Sequence, residues 1–154
     1  MCHPGQDIAP ARHRPSHKRV YLLDTNVVSE LRRARPHGAL LAWIGEAPAD
    51  RLFLSAVTVG EIQAGIEMTR ERDEAKANEI EAWLDRVVAD HAVLPMDAAV
   101  FREWARLKHR KSDTLLEDAM IAATARIHRL KVVTRNVRDF RELGVDPIDP
   151  FKAV

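Results

Sequence analysis

Apolar residues along the chain form short unbroken runs that alternate with longer segments of helical periodicity. Four runs predict buried strands, VYLL (20–23), RLFLS (51–55), AVLP (92–95) and KVVT (131–134), and VDPI (145–148) predicts a possible fifth. Helical patterns cover 26–34, 38–46, 58–70, 74–90, 97–111 and 115–129, with a short one after Asn136. Strands that are apolar throughout and separated by helices indicate an α/β fold, a parallel sheet of four to five strands with helices on both faces.

Composition narrows the class of protein. The 154 residues, 46% of them apolar, are enough for one domain with its own core. A formal net charge of +1 excludes both a disordered acidic chain and a strongly basic nucleic-acid coat. The positive charge is concentrated in residues 1–19, and this segment also contains three proline residues. We therefore predict a disordered basic extension over 1–19 and a folded domain over 20–154.

The lone cysteine and the hydropathy pattern bear on the compartment. Cys2 has no partner for an internal disulfide, which fits a reducing cytoplasm. No run approaches 18 apolar residues, so the sequence predicts a cytoplasmic protein without a membrane span. A glycine-rich phosphate loop, of the GxGxxG or the GKS/T kind, is also missing, so nucleotide-cofactor binding has no signature here.

Acidic residues follow the first two predicted strands. Asp24 ends the first strand, where it could simply cap a helix that begins near Asn26. Glu61 lies just past the second strand, and Thr58 to Glu61 have the spacing of a capping box. The residues that share a helix face with Glu61 are Ala64, Gly65 and Met68. That pattern predicts an apolar or close-packed surrounding for its carboxylate.

Asp118 lacks a comparable structural explanation. The segment Thr114–Glu117 already has the capping-box pattern, so capping is not required of the next residue. The helical neighbours of Asp118 are apolar: Ile121, Ala122 and Ala125. An ionised carboxylate there costs several kcal/mol unless a cation compensates it. Because no Lys or Arg lies one turn away on that face, we predict a cation shared with the other acids at the carboxyl ends of the strands.

The donor types indicate which cation this is. Oxygen ligands without Cys or His favour Mg²⁺, with Mn²⁺ possible, over zinc. A fourth group of candidates follows the last long strand, in VVTRNVRDF: Thr134, Asn136 and Asp139. Asn136 could orient a water, or it could cap the short last helix with Asp139 in its first turn. Asn26, two residues after Asp24, is a further auxiliary candidate.

Four segments in this order resemble the PIN-domain family and, within it, the VapC-like and FitB-like toxins of bacterial type II toxin–antitoxin pairs: LLDTNVVSEL, LSAVTVGEIQAGI, EDAMIAATA and VVTRNVRDF. The resemblance implies a PIN-like nuclease domain over 20–154, a Mg²⁺-dependent ribonuclease, a homodimer and a cognate antitoxin that blocks the site. Asp24, Glu61 and Asp118 match the family's acidic residues. A fourth acid often stands where this chain has Asn136, which leaves a second metal ion open.

The implied chemistry is hydrolysis of RNA by a metal-activated water. Asp24 and Asp118 would hold the ion, and Glu61 would be a ligand through water or the base that positions the nucleophile. Phosphate contacts are available from REWARLKHRK (102–111) and from basic residues near the last motif, Arg135 and Arg138 among them. The alternative for these basic runs is a solvated helix face. DNA would be contacted only through the antitoxin.

Two other functions are compatible with parts of the sequence. One is a phosphatase with Asp24 as nucleophile, although Asn26 and Arg135 stand where that chemistry would want an acid and a Lys. The other is a catalytically weak fold of the same kind that binds RNA or protein, which the intact acids disfavour. Trp43, Trp83 and Trp104 are expected in the core or an interface. The apolar surface of 38–46 and 74–90 exceeds what a small sheet needs, and predicts a dimer or antitoxin interface.

Overall fold

The computed structural model describes residues 19–152, so all but Arg19 of the predicted extension over 1–19 lies outside the described residues. Four short strands form one sheet: β1 (Tyr21–Leu23), β2 (Leu52–Ser55), β3 (Ala92–Leu94) and β4 (Lys131–Val133). All neighbours pair in parallel, in the order β3-β2-β1-β4. The predicted α/β fold with a parallel sheet is therefore confirmed.

Helices connect successive strands, as parallel pairing requires. In chain order they are α1 (Thr25–Leu31), α2 (Gly38–Glu46), α3 (Ala56–Arg70), α4 (Glu74–Asp90), α5 (Ala98–Lys108), α6 (Leu116–His128) and α7 (Val137–Glu142). The predicted bounds of α2 and α4 agree with the structure. Asp73 begins α4 by accepting a hydrogen bond from the Lys76 amide, which satisfies one of the free N–H groups of the first turn.

Both faces of the sheet are buried, which explains why the strands are apolar throughout. Leu22 and Val132 project to one face and pack in a cluster with Phe140, α6 and α7. Leu23 and Val133 project to the other face, in a cluster with residues of α1 and α2. Each of these side chains stabilises the fold by roughly 1.5–3 kcal/mol through its removal from water. The sheet is therefore held between two helical layers.

The possible fifth strand at 145–148 is not formed. Ile148 makes only an isolated parallel bridge to Val133, with hydrogen bonds of 2.8 Å from its amide to the Val132 carbonyl and from the Thr134 amide to its own carbonyl. Pro147 has no N–H to donate, so the ladder cannot extend through it. The sheet in the described part of the chain has four strands.

The three tryptophans are half-buried and pack against the edges of the core clusters. Trp43 packs edge to face on Tyr21, with ring centroids 4.9 Å apart. Trp104 packs against the cluster below α6 and donates its indole N–H to the Leu116 carbonyl at 3.2 Å. Trp83 contacts two of the apolar clusters. Within residues 19–152, the structure contains no helix with the length and apolar character of a membrane span.

Candidate active site at the carboxyl ends of the strands

Asp24 lies where β1 ends and α1 begins, and is only 4% exposed. One carboxylate oxygen caps the helix by accepting from the Thr25 amide at 2.8 Å, so the capping interpretation is correct. The other oxygen accepts from the Thr134 hydroxyl at 2.7 Å and from the Asn26 amide group at 3.2 Å. Burial raises the pKa of Asp24, and the bonds from Thr134 and Thr25 offset part of that rise. The capping bond therefore occupies one carboxylate oxygen of Asp24, while the other oxygen bonds to side chains of the candidate site.

Thr134 connects the ends of β1 and β4. Its fully buried hydroxyl donates to Asp24 and accepts from the Asn136 amide at 2.9 Å. Asn26 donates to the same hydroxyl oxygen at 3.3 Å and accepts from the Arg135 amide at 3.3 Å. The predicted auxiliary residues Asn26 and Thr134 thus orient Asp24 through hydrogen bonds.

Asp118 lies in the first turn of α6 and is half-buried. The α-helix starts at Leu116 after a 3-10 turn, so the capping box predicted for Thr114–Glu117 is not formed. The residues below Asp118 on its helix face belong to the core, as predicted: Ile121, Ala122 and Ala125. A carboxylate in a first turn interacts favourably with the helix dipole, which offsets part of its burial.

The charged groups that act on Asp118 are other acids. Its pKa is raised to about 6, first by burial and then by the negative charges of Asp24, Asp139 and Glu117. The Asn136 side-chain amide donates to its Oδ2 at 3.4 Å and lowers the pKa slightly. Asp118 and Asp24 are therefore close enough to repel each other.

Glu61 lies in the second turn of α3, which begins at Ala56. Ser55 is the N-cap and accepts from the Val57 amide at 3.1 Å, so the capping box that the spacing of Thr58 and Glu61 suggested is not present. The predicted apolar surrounding is also wrong, because Glu61 and the residues on its helix face are exposed: Ala64, Gly65 and Met68.

The carboxylate of Glu61 nonetheless belongs to the acidic group. Partial loss of solvent raises its pKa, and the charges of Asp24, Glu117 and Asp118 raise it further. The Thr25 hydroxyl has the opposite, smaller effect. Asp24 thus affects the pKa values of both other acids proposed from sequence, although the three come from separate segments of the chain.

The last motif supplies one amide and one acid. Asn136 is the residue before α7, but its side chain makes no capping bond and instead donates to Asp118. Asn136 therefore occupies the predicted N-cap position without forming a side-chain cap. Asp139 lies in the first turn of α7, as predicted, and its charge raises the pKa of Asp118.

In the described part of the chain, no basic side chain pairs with the three acids. Within residues 19–152, no Lys, Arg or His forms a salt bridge with Asp24, Glu61 or Asp118. The same part of the chain contains no set of three His, Cys, Asp or Glu side chains close enough to enclose a metal ion. Asp24, Glu61 and Asp118 therefore do not converge on one metal position in this structure, contrary to the prediction of a cation shared by all three. A hard cation that takes one or two carboxylates and fills its other positions with water and phosphate, as Mg²⁺ does, still suits oxygen donors of this kind.

Three participating residues were not recognised from the sequence. The hydroxyls of Thr25 and the fully buried Thr58 are 3.0 Å apart and link α1 to α3 beside Glu61. Glu117 adds negative charge that raises the pKa values of Glu61 and Asp118. The adjacent acids in LLEDAM were a signal for Glu117, but the capping-box pattern assigned it a different role. A sequence signal for the Thr25–Thr58 pair is absent because the contact depends on how the helices pack.

The predicted RNA-contacting residues have mixed surroundings. The Arg135 guanidinium lies 3.8 Å above the ring centre of Phe151, and Arg138 is exposed. Several other basic residues of the predicted runs form ion pairs: Arg106 and Arg126 with Glu103, and Lys131 with Asp146. An RNA role for Arg135 and Arg138 remains a prediction.

Fold and site together define an α/β protein whose carboxylates gather beyond the carboxyl ends of a four-stranded parallel sheet. The PIN domain model matches residues 21–145. The chain is 36% identical over 137 residues to "VapC ribonuclease Y4jK" of Sinorhizobium fredii, which covers 85% of this chain and 97% of that protein. It is 31% identical over 137 residues to "Toxin FitB" of Neisseria gonorrhoeae, and the match covers 84% of this chain and 97% of that protein. This protein therefore belongs to the PIN domain family.

The fold agrees with solved structures of that family. The FitAcB crystal structure from Neisseria gonorrhoeae superposes with a TM-score of 0.78 at 30% identity, over 87% of this chain and 100% of that one. A VapBC2 structure from Rickettsia felis, bound to a promoter DNA fragment, superposes with a TM-score of 0.68 at 18% identity, which supports the fold alone. The resemblance noted in the sequence motifs is confirmed at the level of the family and its fold.

Proposed function

We propose that this chain is the ribonuclease toxin of a type II toxin–antitoxin pair and that it hydrolyses RNA with Mg²⁺, or Mn²⁺, at the acids Asp24, Glu61 and Asp118. The observation that carries the proposal is electrostatic. Besides burial, the charge of Asp24 raises the pKa values of Glu61 and Asp118, which come from separate segments, and no Lys or Arg between residues 19 and 152 pairs with any of the three acids. A protein retains such repulsion at a functional site more readily than in its scaffold.

The three acids have different proposed roles, which follow from how deeply each is buried. Asp24 is buried and fixed by three hydrogen bonds, which suits a metal ligand of constant orientation. Asp118 faces it from α6, with the Asn136 amide on its Oδ2. Mg²⁺, when bound, supplies a water of lowered pKa and a positive charge opposite the scissile phosphate. Glu61 is exposed and retains its proton more readily than an ordinary Glu, so it is placed to orient the attacking water and accept its proton.

The expected products are fragments with a 5′-phosphate, since the attacking oxygen adds to phosphorus and the 3′ oxygen leaves. Thr134 and Asn136 do not touch the substrate in this scheme. They position the two aspartates by donating a hydrogen bond to a carboxylate oxygen of each.

The proposed partner is an antitoxin. The FitAB structure, 29% identical to this chain with a TM-score of 0.77, is bound to a DNA fragment, and VapBC complexes share the fold. By analogy, this chain forms a homodimer, binds a cognate antitoxin that blocks the acids, and reaches DNA only through that antitoxin. The exposed α3 face that carries Met68, 71% exposed, is available for such contacts.

Digestion of mixed RNA by the purified chain tests the proposal. We expect cleavage with Mg²⁺ or Mn²⁺ and none with EDTA. Asp118→Asn should abolish cleavage with the fold retained, because the amide keeps the shape and removes the charge that holds the ion. Asp85→Asn is the matched control, since Asp85 is an exposed acid of α4 without a salt bridge in the described chain, and it should cut at the wild-type rate.

Cleavage that survives EDTA, or an Asp118→Asn variant as active as the wild type, would contradict the proposal. Turnover of a small aryl phosphate would favour a phosphatase, although Asp24 is poorly placed as a nucleophile at 4% exposure. RNA binding without cleavage under any metal would favour a binding module.

A further inference from the structure

A groove leads away from the acids along α1. It has a volume of about 300 Å³, and its walls come from α1, α3 and α4. Thr25 and Glu61 line the end next to the acids, while Ser29 and Arg32 line the side toward the carboxyl end of α1. With a rise of about 1.5 Å per residue, Arg32 lies roughly 10 Å along the helix from Thr25. A polymer held at the acids can therefore reach Arg32 within a short length of chain.

The groove continues into a second depression of about 320 Å³ between the end of α1 and α4. The two share Arg32 and Ile80, so they form one continuous surface. The second depression is basic: Arg33, Lys76 and Arg86 line it together with Arg32, against the single acid Glu79. We call this second depression the basic pocket.

The charges of the basic pocket are only partly neutralised within residues 19–152. Arg33 pairs with the buried Glu30 at 3.1 Å. Lys76 pairs with Glu79 at 3.5 Å, but the Glu79 side chain is 72% exposed, and such a pair contributes little. Arg32 and Arg86 are exposed and form no salt bridge with any residue of this part of the chain. Both guanidinium groups are free to bind an anion.

We infer that the basic pocket binds the phosphate backbone of single-stranded RNA that extends from the cleavage site along α1. This inference rests on the proposed ribonuclease function and names the surface that grips the substrate away from the acids. The acids repel a polyanion, so the binding energy must come from a nearby positive surface, and this one is continuous with them. The half-buried Trp83 also lines the pocket, and an aromatic ring beside arginines is a surface on which an unpaired base can stack.

RNA binding by an Arg32→Ala/Arg86→Ala double variant tests the inference. Binding of a fluorescent single-stranded RNA would be followed by anisotropy in EDTA, where no cleavage occurs, over a range of salt concentrations. We expect the Kd to rise on the order of tenfold at about 0.1 M salt. The slope of log Kd against log salt should fall by about 1.4, since each phosphate contact to a single strand contributes about 0.7.

An Arg19→Ala/Lys152→Ala variant is the matched control, since both residues line a separate depression that shares no residue with the groove or the basic pocket. It removes the same charge from two exposed residues away from the groove, and it should bind RNA like the wild type. Equal weakening in both variants would overturn the inference, because the effect would then be one of net charge. Wild-type RNA affinity in the double variant, with a lost affinity for a polyglutamate peptide, would also overturn it and identify a protein-docking surface instead.

Cleavage assays on the same proteins separate this inference from the proposed function. With Mg²⁺, the double variant should show a raised KM on long RNA and an unchanged kcat, because the acids are untouched. If the wild type cuts RNA and the double variant matches it in binding and in KM, the inference fails while the proposed function stands. If the wild type binds RNA through Arg32 and Arg86 but never cuts it, the proposed function fails and the basic pocket stands.

Discussion

At the scale of single residues, Thr134 controls the orientation of the best-buried acid. Its hydroxyl donates to Asp24 at 2.7 Å and accepts a hydrogen bond from the backbone N–H of Asn136 at 2.9 Å. A carboxylate without this donor would rotate and would face a higher cost of ionisation, since the bond lowers the pKa of Asp24. Thr134 therefore acts on the reaction through Asp24.

Thr134→Val tests that role, because valine retains the shape and removes the hydroxyl. We expect metal affinity or activity to fall by about 10- to 100-fold, as is usual for a group that orients a ligand. Thr124→Val is the control: Thr124 is equally buried, and its hydroxyl donates to the Met120 carbonyl at 2.9 Å, away from the acids. Both variants should lose about 1 kcal/mol of stability. A Mg²⁺ titration of RNA cleavage in which the two variants behave alike would refute the positioning role.

Asp118 makes the free energy of unfolding depend on pH. Its folded pKa of about 6 lies above its ordinary value of 3.8, so the folded state binds the proton more tightly than the unfolded state. Ionised Asp118 consequently destabilises the metal-free fold above about pH 6, and the penalty disappears as the pH falls toward 3.8. Asp118→Asn should therefore be more stable than the wild type at pH 7 in EDTA.

The gain expected for Asp118→Asn is about 1–2 kcal/mol after solvent screening of a half-buried group. For a domain of this size, that corresponds to a rise in Tm of about 2–4 °C per kcal/mol. Thermal melts between pH 4 and pH 8 measure the effect, and the difference from the wild type should shrink below pH 6. A variant less stable than the wild type at pH 7 would mean that Asp118 is compensated within the fold.

At the scale of the elements, the sequence predicts a helix best where only one cap signal is present. α4 starts after Asp73, the only capping candidate nearby, and its predicted bounds agree with the structure. Two residues could cap the start of α3, Ser55 and Thr58. The capping-box pattern predicts Thr58, whereas Ser55 is the cap in the structure. The strand decides between them: β2 pairs with β3 up to Ser55, so the helix can start at once. That choice depends on sheet register, which no local pattern contains.

Ser55→Ala should destabilise the protein by about 1 kcal/mol, because it removes the acceptor for the Val57 amide in a buried helix start. Urea denaturation measures the change at constant slope. Ser112→Ala is the control, since Ser112 caps only an exposed 3-10 turn and should cost under about 0.5 kcal/mol. Equal losses would indicate that α3 is not capped by Ser55.

At the scale of the whole molecule, the acids form a group only because the chain folds. Asp24 follows β1, Glu61 lies on α3 and Asp118 on α6. The sequence places all three beyond the carboxyl ends of parallel strands, and that much follows from the α/β pattern. How close the carboxylates come, and the contribution of Glu117, depend on the rotation of α3 and α6 over the sheet. Rotations of a few degrees are set by packing across the core, which a sequence pattern does not encode.

This dependence on the fold predicts that a divalent ion stabilises the entire protein. An unfolded chain separates the acids, so the ion binds the folded state alone and adds about 2.7 kcal/mol at a concentration of 100 times its Kd. Melts of the wild type should therefore show a Tm that rises with the concentration of Mg²⁺ or Mn²⁺. Asp118→Asn should give a flat response, while Asp85→Asn, with the same loss of charge, should follow the wild type. A rise of equal size in Asp118→Asn would show that the ion stabilises the surface generally, and that the acids at the carboxyl ends of the strands do not hold it.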